Sequence, residues 1–199
     1  MKAMLKRMPP RRRREGLTDY RVRLKLVKSG LPRLVIRKSN RYITVQVINS
    51  KAGGDETLLT VTSKKLAEYG WRAGGKNLPA AYLTGLLCGL RGAEDGIEKA
   101  ILDIGLQRPV RGGRVFAVVK GVIDGGVEVP CDPSVLPDED RIRGVHIAEY
   151  ARELAEKNPA AYERFFSQYL ARGLRPEDLP QHFDEVKARI LQAFGGGGG

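Results

Sequence analysis

Cysteine is nearly absent from this chain: Cys88 and Cys131 are the only two in 199 residues, and no C-x-x-C pair occurs. A disulfide framework or a thiolate zinc site is therefore not expected, and a reducing compartment is. Histidine is as scarce. His146 and His182 fall in separate helix-forming stretches, and His146-x-x-Glu149 lacks the second histidine of a metalloprotease helix, so each reads as a surface or interface residue. No serine-centred nucleophile elbow and no Cys-His pairing at a recognisable spacing appears, which leaves nucleophilic catalysis without support. Long apolar runs are missing too. No stretch of about 18 uncharged apolar residues exists, and the basic opening Met-Lys-Ala-Met-Leu-Lys-Arg carries no apolar core of signal-peptide length. A soluble intracellular protein is expected, with no cofactor, metal, membrane or small-molecule substrate.

The most informative shortage is of acid near the amino terminus. Residues 1 to 41 contain only Glu15 and Asp19 against fifteen Lys and Arg, so this fifth of the chain carries +13. The remainder holds twenty basic and twenty-one acidic groups, and the whole sums to +12. A polycationic arm on a neutral body is what attachment to phosphate requires, because each neutralised phosphate releases condensed counterions. Hydrophobic content of 42% is enough for one main domain with extensions.

Residues 1 to 30 are rich in Arg, Lys and Pro and are expected to be extended or only locally ordered. From 31 to 132 the pattern is that of an α/β body. Leu34-Arg37, Tyr42-Val47 and Thr57-Thr62 alternate with period two, separated by Ser39-Arg41 and by 51–55, and predict a three-stranded antiparallel meander. Placing Leu34, Ile36, Ile43, Val45, Val47, Leu59 and Val61 inward leaves Arg33, Arg37, Tyr42, Thr44, Gln46, Thr60 and Thr62 on a polar, cationic outer side. That side is either a plain solvated face or, joined to the arm, an RNA-binding one.

Ser63 is expected to cap a short helical turn ended by Gly70, and Asn77 to cap an apolar helix stopped by Gly92. A strand over Ala100-Ile104 and a helix over Val115-Ile123, closed by Gly125-Gly126, complete the order βββαβα, a two-layer fold of α+β class with helices on one face. Residues 133–194 read as a helical extension: one helix from Asp138 to about Glu156, a second capped by Asn158-Pro159, and a third started by Pro180. Ala148, Leu154, Tyr162, Phe165, Phe166, Tyr169 and Phe183 are its expected packing residues, and 195–199 a flexible glycine tail.

Gly70-x-x-x-x-Gly75-Lys76 follows the phosphate-cradling loop of nucleoside triphosphatases for seven positions, then has Asn77 where a magnesium-binding hydroxyl belongs. What survives is that Gly74, Gly75 and Lys76 can approach an RNA phosphate ahead of the helix capped by Asn77; a plain helix entry loop explains them equally. Leu102-Asp103-Ile104-Gly105 is similar to the strand of ribonuclease-H-like nucleases that presents a metal-binding carboxylate. A metal-dependent nuclease would need Asp124, Glu128 or Asp132 to converge on Asp103, and these read better as caps and turns. Tyr20 sits amid Arg21, Arg23 and Lys25, and Tyr42 follows Arg41, so rings that can stack on unpaired bases stand beside groups that grip phosphate.

Three blocks then carry a specific resemblance: Arg11-Arg12-Arg13-Arg14-Glu15-Gly16-Leu17-Thr18-Asp19-Tyr20; Tyr69-Gly70-Trp71 with Asn77, Ala80-Ala81-Tyr82 and Thr84-Gly85-Leu86-Leu87; and Arg114-Val115-Phe116 with Lys120-Gly121-Val122 and Asp124-Gly125-Gly126. From about residue 5 to 194 the chain resembles the large-subunit ribosomal protein eighteen family, 5S rRNA binders, in its archaeal and eukaryotic form. The resemblance implies a ribonuclease-H-like translational-machinery body without nuclease activity, held in the central protuberance and joining 5S rRNA to the large rRNA and to neighbouring proteins. It also implies that the arginine block, Thr18 and Tyr20 thread into RNA. Lys38, Ser39, Asn40 and Arg41, with Thr62, Ser63, Lys64 and Lys65, would lie against the 5S helices. The near-neutral, aromatic-rich extension is expected to pack on the body and on other proteins or rRNA.

Overall fold

The computed structural model describes residues 8–195. Its centre is a mixed four-stranded sheet, β1 (Arg33–Lys38), β2 (Ile43–Lys51), β3 (Gly54–Thr62) and β4 (Ile101–Asp103), in spatial order β3-β2-β1-β4. The meander is antiparallel as the alternation predicts, and β4 joins β1 in parallel, Leu34 opposite Leu102. β2 and β3 run further than expected, so only Ala52-Gly53 separates them. A register shift after Val47 absorbs the misfit by leaving Leu58 without a partner on β2, and it is exposed.

α3 (Leu78–Glu94) lies on β2 and β3, and α4 (Arg114–Asp124) lies on α3. Leu34, Ile36, Ile43, Val45, Val47 and Val61 meet the helix side chains in one continuous core. Asn77 caps α3 as expected, its Oδ1 accepting from Ala80 N at 2.8 Å. The helix does not stop at Gly92, because its glycines serve contact rather than termination. A methyl added at Gly89 would sit 2.5 Å from the Val122 carbonyl oxygen, one at Gly85 would strike the Val118 carbonyl, and one at Gly121 the Tyr82 carbonyl. The two backbones therefore touch directly.

The extension comprises α5 (Glu139–Arg143), α6 (Val145–Lys157), α7 (Pro159–Leu170) and α8 (Leu179–Gly195). The single helix expected from 138 to 156 is broken at Gly144, which takes φ +84° where a side chain would meet Leu179 and Pro79 at 2.9 Å. Asn158 caps α7 through Ala161 N at 3.0 Å. α8 begins one residue before Pro180, and Gly195, expected in the tail, is its last residue; 196–199 lie outside the described residues. Phe166 is buried among Tyr150, Tyr162 and Tyr169, whereas the adjacent Phe165 points away and is 67% exposed, contrary to its expected packing role. Ile142, Leu174, Leu179, Phe183, Val186 and Ile190 share the body's core, with the Phe183 ring 5.6 Å from Tyr82.

The arm is more ordered than its composition suggests. Of the extended or locally ordered segment expected there, the structure shows local order, α1 (Arg11–Arg14) and α2 (Tyr20–Lys28), the Asp19 carboxylate accepting from Arg21 N at 2.8 Å and Val22 N at 3.3 Å to open α2. Residues 1–7 of that expectation lie outside the described residues.

Gly85→Ala is expected to cost about 1–3 kcal/mol or more in urea unfolding, by forcing α3 and α4 apart. Gly53→Ala, with open space at its Cβ, should stay within about 0.5 kcal/mol of the parent.

Candidate nucleic-acid interface

The outer sheet face is less freely cationic than the alternation implies. Arg33 does lie on the side opposite Leu34, but it is 3% exposed and its guanidinium binds Asp103 at 2.7 Å and Asp55 at 2.7 Å, with Nε donating to Ser50 Oγ at 3.3 Å. Its expected place on an open RNA-binding face is corrected: a guanidinium in so dry a site requires carboxylates, and it has them. Arg23 of α2 also binds Asp55, at 2.8 Å, and fastens the arm to the hairpin. Burial alone would raise the Asp55 carboxyl, yet the Arg33 and Arg23 guanidiniums more than offset this and hold it below its ordinary value. Arg37 donates to Asp103 at 3.3 Å and keeps part of its side chain in solvent. Farther out, Thr44, Gln46, Thr60 and Thr62 remain accessible, Gln46 Nε2 donating to Thr60 Oγ1 at 3.1 Å.

The nuclease alternative loses its carboxylates to the same bookkeeping. Asp103 is held by two guanidiniums and by Gly105 N at 2.9 Å; Asp124 accepts from Tyr82 Oη at 2.8 Å and Lys120 Nζ at 2.7 Å; Glu128 pairs with Lys99; Asp132 caps Ser134. Each is engaged at a different place in the fold.

On the arm, Arg11, Arg13, Arg14, Arg21 and Lys25 are exposed, while Arg12 Nε donates to Thr18 Oγ1 at 2.9 Å and Tyr20 is half-buried. A separate cationic surface forms where the β1–β2 turn, the loop after a 3-10 helix (Ser63–Tyr69) and the end of α7 meet. Ser39 Oγ accepts from Tyr42 N at 2.9 Å and shapes the turn carrying Asn40, Arg41 and the 40%-exposed Tyr42. Ser63 is neither cap nor surface residue: Thr62 takes the cap position, and the buried Ser63 hydroxyl accepts from Ile43 N at 3.0 Å and donates to the Gly75 carbonyl at 2.6 Å. Gly70 ends that helix at φ +87°, as expected. Asn77 is occupied within the protein, capping α3 and donating to Tyr169 Oη at 3.1 Å.

Together these segments enclose a cleft of about 730 Å³ into which Lys64, Gly74, Gly75, Lys76, Arg41 and Tyr42 turn. Lys38 stands beside it; burial first, then Arg114 and Lys76, hold its ammonium below the usual lysine value. Three further lining residues, Arg72, Gln168 and Arg172, escaped the sequence reading, in which Arg172-Gly173 served only to end a helix. Arg172 donates to the Ala73 carbonyl at 3.0 Å and Arg72 to Gly173 O at 3.3 Å, so extension and loop grip each other. His182, expected at a surface or interface, is in fact 4% exposed; its Nε2 accepts from Arg72 N at 3.1 Å and its ring stacks on Trp71 at 5.2 Å. No helix among the described residues is long and apolar enough to cross a membrane.

An α+β body whose candidate catalytic carboxylates Asp103, Asp124, Glu128 and Asp132 are each engaged apart, while exposed cations gather on an arm and in a cleft, defines a class: proteins that attach to polyanions without acting on them chemically. The family described as "Ribosomal large subunit proteins 60S L5, and 50S L18" matches residues 6–95 and 91–132. Large ribosomal subunit protein uL18 of Staphylothermus marinus is 52% identical over 189 residues, covering 94% of each chain. The uL18 of Caldivirga maquilingensis is 53% identical over 185 residues (92% of this chain, 89% of the relative), and that of Methanothermobacter thermautotrophicus 54% over 180 (90% and 92%). The chain belongs to this family of large-subunit ribosomal proteins, a structural constituent of the cytoplasmic ribosome and not an enzyme.

Removing one partner of the buried pair tests the correction at Arg33. Arg33→Met should cost about 3–5 kcal/mol in urea unfolding, because the buried Asp103 loses its nearest partner and keeps only Arg37, at 3.3 Å, and Gly105 N; Arg37→Met, half in solvent, should cost about 1 kcal/mol or less.

His182 gives a pH dependence whose sign is fixed by its surroundings. Burial first, then Arg72, pushes the imidazole below its ordinary value of 6.5, with Glu185 opposing and Arg189 assisting. A depressed value means that the neutral ring is favoured on folding, so its contribution is complete above that ordinary value and is lost as pH falls toward the folded one. Between about pH 7.5 and 5 the unfolding temperature of the parent should therefore fall more steeply than that of His182→Gln, as thermal scans across that window would report.

Proposed function

We propose that the protein binds 5S rRNA and anchors it to the large rRNA in the central protuberance of the large subunit, beside neighbouring ribosomal proteins. The observation that carries this reading is the separation of charge: +13 within residues 1 to 41 on a remainder near neutrality, coupled to a helix that Arg23 ties to the sheet. The arginine, Asn77 and Lys120 blocks that resemble the 5S-binding family supply the choice of 5S rRNA, which charge alone does not.

In this reading residues 1–30 are the arm, 31–132 the 5S-binding body and 133–194 an extension that adds contacts. Arg11, Arg13, Arg14, Tyr20, Arg21 and Lys25 meet RNA first, and the Thr44, Gln46 and Thr62 face with Lys38, Arg41 and Lys65 follows. Arg33, Ser63 and Asn77 act by holding the surface in shape. A metal-dependent nuclease finds no favouring observation.

The test is 5S rRNA binding across a salt series. Affinity should fall linearly on a logarithmic scale with salt, and deleting residues 1–30, which remove eleven Lys and Arg, should weaken binding and flatten that slope by about 0.9 for each lost phosphate contact or somewhat less. A salt-independent affinity, or equal binding to an unrelated structured RNA, overturns the reading.

A further inference from the structure

We propose that the cleft between the β1–β2 turn, the 71–77 loop and the end of α7 receives an unpaired stretch of RNA one or two nucleotides long, and that the carboxy-terminal extension completes it through Gln168 and Arg172. The inference rests on the RNA-binding reading above and deepens it by naming the occupant of one site and the part the extension plays there.

Its charge is the first argument. Arg41, Lys64, Arg72, Lys76 and Arg172 line the cleft together with no carboxylate, and none of the five forms an ion pair among the described residues. The buried Arg33 guanidinium, by contrast, is paired with both Asp103 and Asp55. Five converging cations without a counter-charge repel one another, and an anionic backbone relieves the repulsion. The crowding of Lys38, Lys76 and Arg114 alongside extends the same field to phosphates flanking the cleft.

Shape and chemistry select the kind of anion. A volume of about 730 Å³ lies in the range, about 300–1,000 Å³, of pockets that take small-molecule-sized groups, the size of a nucleotide. Tyr42 offers a ring held in place, because Gly75 has no Cβ and so leaves the space that Cδ1 of the ring fills. Asn40 of the β1–β2 turn and Gln168 of α7 also line the cleft, and carboxamides can pair with a base edge. An acidic peptide would answer the charge but would leave the ring and both amides without use. The mouth is braced from below by Trp71, whose Nε1 donates to Gly74 O at 3.3 Å, and from the side by Arg172 on the Ala73 carbonyl.

Two variants of the full chain test this: Tyr42→Leu, which keeps the bulk over Gly75 but removes the stacking ring, and Lys64→Gln with Gln168→Ala, both at exposed positions. Affinities for 5S rRNA, for a short single-stranded RNA and for the same RNA as a duplex are measured at one salt concentration, with thermal unfolding as control. Each variant should bind 5S rRNA and the single strand about tenfold more weakly, with duplex binding and unfolding temperature little changed. Should Tyr42→Leu fail to fold, the double variant decides alone. Parental affinity of a folded variant for 5S rRNA and for the single strand overturns the cleft while leaving the 5S reading intact. Loss of binding to a glutamate-rich peptide with RNA affinities unchanged overturns it in favour of a protein occupant. Absence of 5S binding by the parent chain removes the underlying reading and the cleft with it.

Discussion

A guanidinium buried between two carboxylates organises this molecule. Taking Arg33 out of water is tolerable because Asp103 and Asp55 both reach it at 2.7 Å, and a guanidinium in so dry a site needs such partners. The geometry this demands is global. Asp103 sits on β4, Asp55 at the hairpin end of β3 and Arg33 at the start of β1, so one network fixes the parallel pairing of β4 and the position of the hairpin. Through Arg23 on Asp55 it also sets where α2 leaves the sheet. The five cations lining the cleft lie outside this network and form no ion pair among the described residues.

α3 is the second organising element, and glycine is the reason. With no side chains at Gly85 and Gly89, α4 approaches to backbone contact and stacks on one side, while the opposite end of α3 remains free to meet α5 and α8. That end carries Pro79 and Tyr82, against which Gly144 and Phe183 pack. The extension is thereby brought beside the loop that precedes α3. Arg172 is near Ala73 because helices some hundred residues apart in sequence converge on the amino-terminal half of one helix.

Local physics was legible in the chain and distant pairing was not. Period-two alternation placed Leu34, Ile43 and Val61 correctly in the core, and short-range caps at Asn77 and Asn158 placed two helix starts to the residue, because a carboxamide reaches only the amide three positions on. Arg33 went astray because its partner Asp103 is 70 residues away, and alternation gives a side but not what covers it. Ser63 failed for a similar reason: its hydroxyl bridges Ile43 and Gly75. Gly92 and Gly144 went astray in opposite directions, the first read as a stop that the helix passes and the second read through where the helix breaks, because only the neighbours decide whether a glycine serves a close approach or a left-handed turn. The helix α2 had a readable signal in Asp19, outweighed by the charge density around it. Nothing local marked Arg172 or Gln168 as part of a binding surface.

Charge that is spread and charge that converges do different work. Exposed arm cations act within a screening length of about 8–10 Å at physiological salt, and being mobile side chains on short helices they follow phosphate wherever it runs; such contacts give affinity and orientation but no choice of sequence. Two of the cleft cations, Arg72 and Arg172, are held by backbone carbonyls, so their positions are set before RNA arrives and less ordering is needed on binding. A ring seated over Gly75 and two guanidiniums held by carbonyls can reject a strand that does not fit, which exposed arm cations cannot. An arm that captures and a cleft that discriminates would need a rigid connection between them to act on one RNA, and the path from α2 through Arg23, Asp55 and the sheet to the β1–β2 turn supplies it.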